Sequence, residues 1–163
     1  MSAHTATLDS PAGRSLAARP RSIVARVALY LGALSVLAIG VVHVRQFYVQ
    51  DYSTIPTIGT LFFLNFVSSV VIAAGLVAPL GRLAGRHADS VRALFAVAGI
   101  GLGVLSLVAL FISEGSGLFG FVENGYRTAI VLAIVAEAAA TVFLVIFLVA
   151  NGTGARRIKA ASA

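Results

Sequence analysis

Residues 128–150 read TAIVLAIVAEAAATVFLVIFLVA, an apolar run whose one charged residue is Glu137. At about 1.5 Å per residue, such a run crosses the roughly 30 Å hydrocarbon core of a bilayer, which takes about 20 apolar residues. Val131, Val135, Val142 and Ile146 fall on one side at helical spacing, while Ala133, Glu137, Ala140, Thr141 and Leu144 share the other. A barrel strand would be about 10 residues long and would alternate in polarity. The stretch therefore reads as a transmembrane helix with a lipid face and an inner face.

Three further stretches have the same character: Ile23 to Val44, Ile58 to Leu80 and Ala93 to Ile112. The expected fold is all-α, a four-transmembrane-helix bundle with spans at 23–44, 58–80, 93–112 and 128–150. The whole chain is 59% hydrophobic and 11% charged, with a mean hydropathy of +0.98. Soluble domains run at roughly 45 to 50% apolar and about 25% charged, so no water-soluble core absorbs this sequence. Residues 1–22, rich in Ala, Ser and Arg and without periodicity, read as a disordered basic tail near anionic head groups, residues 23–150 as the membrane domain, and residues 151–163 as a second basic tail. The first span reads as a retained helix and not a secretory signal, because no small-residue cleavage site follows in His43-Val44-Arg45-Gln46.

Lys and Arg set the orientation. Arg14, Arg19, Arg21 and Arg26 precede or open the first span, Arg82, Arg86 and Arg92 join the second and third, and Arg156, Arg157 and Lys159 follow the fourth. Only Arg45 and Arg127 fall in the other two loops. By the positive-inside rule both termini are expected in the cytoplasm. Heavy use of Ala, Val, Gly and Arg with a single Lys fits a bacterial plasma membrane. The formal charge of +6 does not point to nucleic acid, since the basic residues sit at helix ends without interleaved aromatics. The absence of cysteine excludes disulfide-stapled folds, thiol redox chemistry and thiolate metal sites.

Helices in lipid associate through small residues and shared hydrogen bonds, so those residues mark the inner faces. The first span aligns Gly32, Val36, Gly40 and His43. The second aligns Leu61, Asn65, Ser68, Ser69 and Ile72, and the third Ala96, Gly99, Gly103 and Ser106, with Ser113 just beyond its end. Gly99-x-x-x-Gly103 matches the close-contact motif and is assigned to helix packing, within the bundle or between protomers. Counting inward at ~1.5 Å per residue, Asn65 and Ser106 lie ~10 Å and Glu137 ~13 Å deep, with His43 at the rim. The candidate polar cluster is thus Glu137, Asn65, His43, Ser106, Ser68 and Ser69.

Glu137 is the most informative of these, because a charged side chain at mid-membrane costs on the order of 2 to 3 kcal/mol even on lenient scales. It reads either as a proton- or substrate-binding carboxyl, or as a donor to Asn65 or Ser106 that ties helices together. His43 reads either as a titrating rim residue or as a histidine fixed by a backbone carbonyl. Neither supports a metal or haem: no second ligand stands at spacing beside His43, and His87 is a membrane thickness away. No catalytic residue and no cofactor is expected. Tyr48 and Tyr52 suit the interfacial aromatic belt, with a lid over the polar cluster as the alternative. The glycine-rich segment after the third span reads as mobile, with Glu114 and Glu123 solvated.

His43 together with the pattern Tyr52-x-x-Ile55-Pro56-x-Ile58-Gly59-x-Leu61-Phe62-x-Leu64-Asn65 resembles a recurring arrangement in small four-helix membrane proteins of actinobacterial type, which carry no assigned activity. The resemblance implies only that His43, Pro56, Gly59 and Asn65 belong to one architectural unit. The leading expectation is a non-enzymatic accessory or scaffolding protein, partnered by the lipid bilayer and by a second copy or another membrane protein, whose polar residues satisfy one another. The alternative is a small proton-linked transporter or ligand-binding protein using Glu137, which requires a cavity reaching that residue.

Overall fold

A computed structural model describes residues 23–122 and 128–161, with side chains through residue 152. Residues 1–22, and with them the N-terminal tail, lie outside the described residues, as do Glu123 and Arg127. The helices are α1 (Ile23–Val49), α2 (Ile58–Val77), the single turn α3 (Leu80–Leu83), α4 (Ala88–Gly115) and α5 (Thr128–Ala161). Among the described residues, four helices are long and apolar enough to cross a membrane, and the chain is an all-α multi-pass membrane protein.

The element boundaries differ from the apolar runs for local reasons. α1 continues five residues past Val44, because Arg45 can face outward while Gln46 turns into the bundle. It stops at Asp51, whose left-handed backbone (φ 56°, ψ 22°) breaks the helical path. α2 ends at Val77, three residues short of the expected limit. Pro79 forces the preceding Ala78 into extended backbone (φ −55°, ψ 150°), and α3 restarts beyond it. α4 begins at Ala88, so Arg92 belongs to the helix and not to the loop before it.

Around the bundle, α1 packs on α2 and α5, and α4 completes the ring by packing on the same two helices. The apolar core fills one half of the bundle, at the end where α2 gives way to α4: Ala25, Leu29, Ala33 and Val36 of α1, Ile72 and Leu76 of α2, Ala96 of α4, and Ala140, Leu144 and Phe147 of α5. Leu144 is its central knob. A Cβ built on Gly32 of α1 would lie 2.6 Å from Leu144 Cδ2, and one on Gly99 of α4 2.6 Å from Leu144 Cδ1, so the two glycines form the hole that seats it. Gly103 brings α4 against the α5 backbone, where an added Cβ would stand 3.0 Å from the Glu137 carbonyl oxygen. The Gly99–Gly103 face is thus occupied within the chain.

The inner stripes expected for α1, α4 and α5 face inward, and Val131, Val135, Val142 and Ile146 face out. Leu61, expected on the inner face of α2, lines a cavity at the other end of the bundle and is also 41% exposed.

Candidate functional site

At the other end of the bundle, where α1 passes to α2, the helices do not close. They surround a cavity of about 380 Å³ lined by residues from all four spans and both connections on that side. This is at the small end of ligand pockets, which run from about 300 to 1,000 Å³. His43, Asn65, Ser68, Ser106 and Glu137 all line it. Ser69, the sixth member of the expected cluster, does not: it is fully buried between α1 and α2, where Gly40 leaves it room.

Three of the polar groups are satisfied by one another. Asn65 Nδ2 donates to Ser106 Oγ at 2.7 Å, joining α2 to α4, and Ser69 Oγ donates to Asn65 Oδ1 at 3.4 Å. Because Ser106 Oγ accepts this bond, its own proton is left to donate elsewhere. His43 bonds to neither Glu137 nor Asn65. Its Nδ1 lies 2.9 Å from the Ile39 carbonyl, which can only accept, so Nδ1 carries the proton and in the neutral ring Nε2 is an acceptor.

Glu137 stands apart from this network. It is 2% exposed, and its Oε2 is buried with no hydrogen-bond partner among the described residues. Around it α5 is held firmly. Thr141 Oγ1 donates to the Glu137 carbonyl at 2.9 Å, and Gly103 presses α4 against the same peptide. Gln46 repeats the pattern: it is 5% exposed, it lines the cavity, and its Oε1 is buried without a partner. Buried polar atoms are nearly always hydrogen-bonded, which makes two orphans lining one cavity the distinguishing feature of the site.

The cavity is roofed by aromatic rings. Tyr52 is buried, not set in an interfacial belt, and its ring meets Phe62 edge-on at 5.0 Å and Phe121 at 5.4 Å, while His43 lies 4.9 Å from Phe62. Gly59 makes the close seating of Tyr52 possible, since a Cβ there would approach the Tyr52 carbonyl oxygen to 2.6 Å. Tyr48 is exposed, as the belt reading expects. The stretch after α4, expected to be mobile, holds a tight turn. Leu118 and Phe121 exchange both backbone hydrogen bonds across Phe119 and Gly120, whose positive φ values (50° and 79°) suit a primed hairpin turn. Ser113 Oγ donates to the Phe121 carbonyl at 3.4 Å and fixes the turn over the cavity. Glu114 is half-buried instead of solvated.

Gln46 and Phe121 were not singled out for the site by the sequence, whereas Tyr52 takes the position that the alternative reading, a lid over the polar cluster, gave it. Gln46 had a signal, because it continues the Gly32, Val36, Gly40, His43 stripe by three more residues. For Tyr52 the choice between belt and lid depends on where the connection folds. Among the described residues, no group of three or more His, Cys, Asp or Glu is placed to hold a metal ion. No protein-family model, curated protein or solved structure matches this chain.

Proposed function

We propose that the chain is a ligand-binding protein of a bacterial plasma membrane, with both termini in the cytoplasm and Glu137 as the polar anchor of a cavity in the outer half of the bundle. The observation that carries this reading is the buried, unpartnered Glu137 Oε2 at the cavity wall. A polar atom left in that state costs ~1–3 kcal/mol, which a group serving only to tie helices together would avoid by taking a partner. The scaffolding role instead suits Asn65, Ser69 and Ser106, which are bonded to one another.

The orientation rests on the charge asymmetry of the loops. Arg82 in the α3 turn and Arg86 just after it, both exposed, suit anionic head groups at the cytoplasmic face. A ligand with a cationic head would let Glu137 give up its proton on binding, which makes proton-linked transport the activity such a site supports.

Dicyclohexylcarbodiimide, an apolar reagent whose C=N bond takes up a carboxylic acid by addition, tests whether the site is reachable. Treated proteoliposomes are expected to yield an adduct that peptide mass spectrometry maps to Glu137. If Glu137 escaped modification in the folded protein yet reacted after denaturation in dodecyl sulfate, the site would be sealed and the reading wrong.

A further inference from the structure

The cavity has a side wall as well as a roof. Toward the α1–α2 connection it is covered by Tyr52, Phe62, Leu118 and Phe121, with the Phe121 carbonyl fixed by Ser113. At the opposite end α2 and α4 are drawn together, since Arg92 of α4 donates to the Leu76 and Ala78 carbonyls, and the Phe95 ring lies over Gly75. Between these limits the Asn65–Ser106 hydrogen bond links the two helices at 2.7 Å. Leu64 of α2 and Leu105 of α4 both line the cavity, yet they are 52% and 69% exposed on the outside of the bundle. Leu61 lies on the same lip. An outward face at this depth meets hydrocarbon, not water.

The polar atoms inside specify what would fit. Gln46 Oε1 is an acceptor without a donor, His43 Nε2 in the neutral ring is another acceptor, and the Ser106 hydroxyl keeps a proton to donate to a head that also accepts. Glu137 Oε2 accepts when ionised. The rest of the wall is mostly leucine, alanine, isoleucine and phenylalanine. At ~30 Å³ per heavy atom the volume holds on the order of a dozen such atoms.

We propose that the cavity takes its ligand sideways from the bilayer, between α2 and α4, over the exposed Leu64 and Leu105 lip and beside the Asn65–Ser106 bond. The ligand is an apolar molecule with one hydrogen-bond-donor head, an alcohol or an amine, whose head reaches Gln46 and Glu137. This rests on the ligand-binding reading above and adds the route and the chemical class.

The chain contains no tryptophan, so Leu105→Trp places a single reporter on that exposed lip. In nanodiscs, 12-bromododecanol and 12-bromododecylamine are the donor-headed probes, and 1-bromododecane is the headless control. At least one donor-headed probe is expected to quench the reporter saturably, while 1-bromododecane quenches only in proportion to its mole fraction; which of the two saturates identifies the head. Adding Gln46→Leu is expected to raise the half-saturating mole fraction about tenfold, and 1-bromododecane supplies the comparison should that variant fail to fold. Indistinguishable quenching by all three probes would overturn the ligand class. Saturable quenching accompanied by strong quenching from aqueous iodide would overturn the lateral route while leaving ligand binding intact. Carbodiimide reaction at Glu137 is independent of both results, so failure here is separable from failure of the parent reading.

Discussion

Replacing Glu137 by leucine is expected to stabilise the ligand-free protein by ~1–3 kcal/mol, the cost of a buried polar atom left without a partner. Leucine is of similar size, and the surrounding wall is largely apolar, so the change removes the desolvation cost without opening a hole. The sign is what matters. Were Glu137 a helix tie, its loss would remove an interhelical hydrogen bond and lower stability by ~1 kcal/mol. Titration of detergent-solubilised protein with dodecyl sulfate, followed by near-ultraviolet circular dichroism from the tyrosines, measures the difference. Ligand stabilises only the state that binds it, so added ligand is expected to narrow the gap between wild type and Glu137→Leu. A site built to bind at the expense of resting stability behaves in this way.

The second large effect lies at the closed end of the bundle. Arg92 is 7% exposed, and its Nε and Nη2 donate to the Leu76 and Ala78 carbonyls at 3.0 and 2.8 Å. Those carbonyls belong to the last turn of α2 and the residue after it, where the helix leaves acceptors unfilled and its dipole favours a cation. Hydrogen bonds to a charged group contribute ~1.5–3 kcal/mol each, so Arg92→Met, which keeps the apolar stem, is expected to destabilise by ~3 kcal/mol or more in the same titration. Arg92→Lys is expected to recover part of the loss, because a single ammonium lacks the fork that reaches both acceptors. The residue is thus more than a topogenic charge. It holds α2 to α4 at one end, as the Asn65–Ser106 bond does further along.

Much of this architecture was legible because a bilayer imposes simple rules. Four runs of sufficient length, with small residues at helical spacing, define both the spans and the inward faces of α1, α4 and α5. Where the reading slipped, the missing information was three-dimensional. Leu61 lies at inner-face spacing on α2 and lines the cavity, yet it is also 41% exposed, and nothing in an apolar residue announces that it sits on a rim. Helix ends followed hydropathy in the sequence but backbone geometry in the fold, with Asp51 and Ala78–Pro79 as the stops. Glu137 was conspicuous from the start, being a carboxyl in the middle of a span. That its Oε2 has no partner, while Asn65 turns to Ser106, could not be read from spacing, because both arrangements place the same residues at the same depth. Tyr52 has the composition of an interfacial residue and the position of a roof, and only the path of the connection decides between them.

The central claim is that Glu137 anchors a small apolar molecule inside the bundle. Native mass spectrometry of protein released gently from bacterial membranes tests it directly, with wild type and Glu137→Gln compared at equal fold content by circular dichroism. Wild type is expected to retain an apolar, donor-headed compound that is smaller than a phospholipid and largely lost from Glu137→Gln. Identical spectra for the two proteins, either bare or carrying only bulk phospholipid, would contradict it.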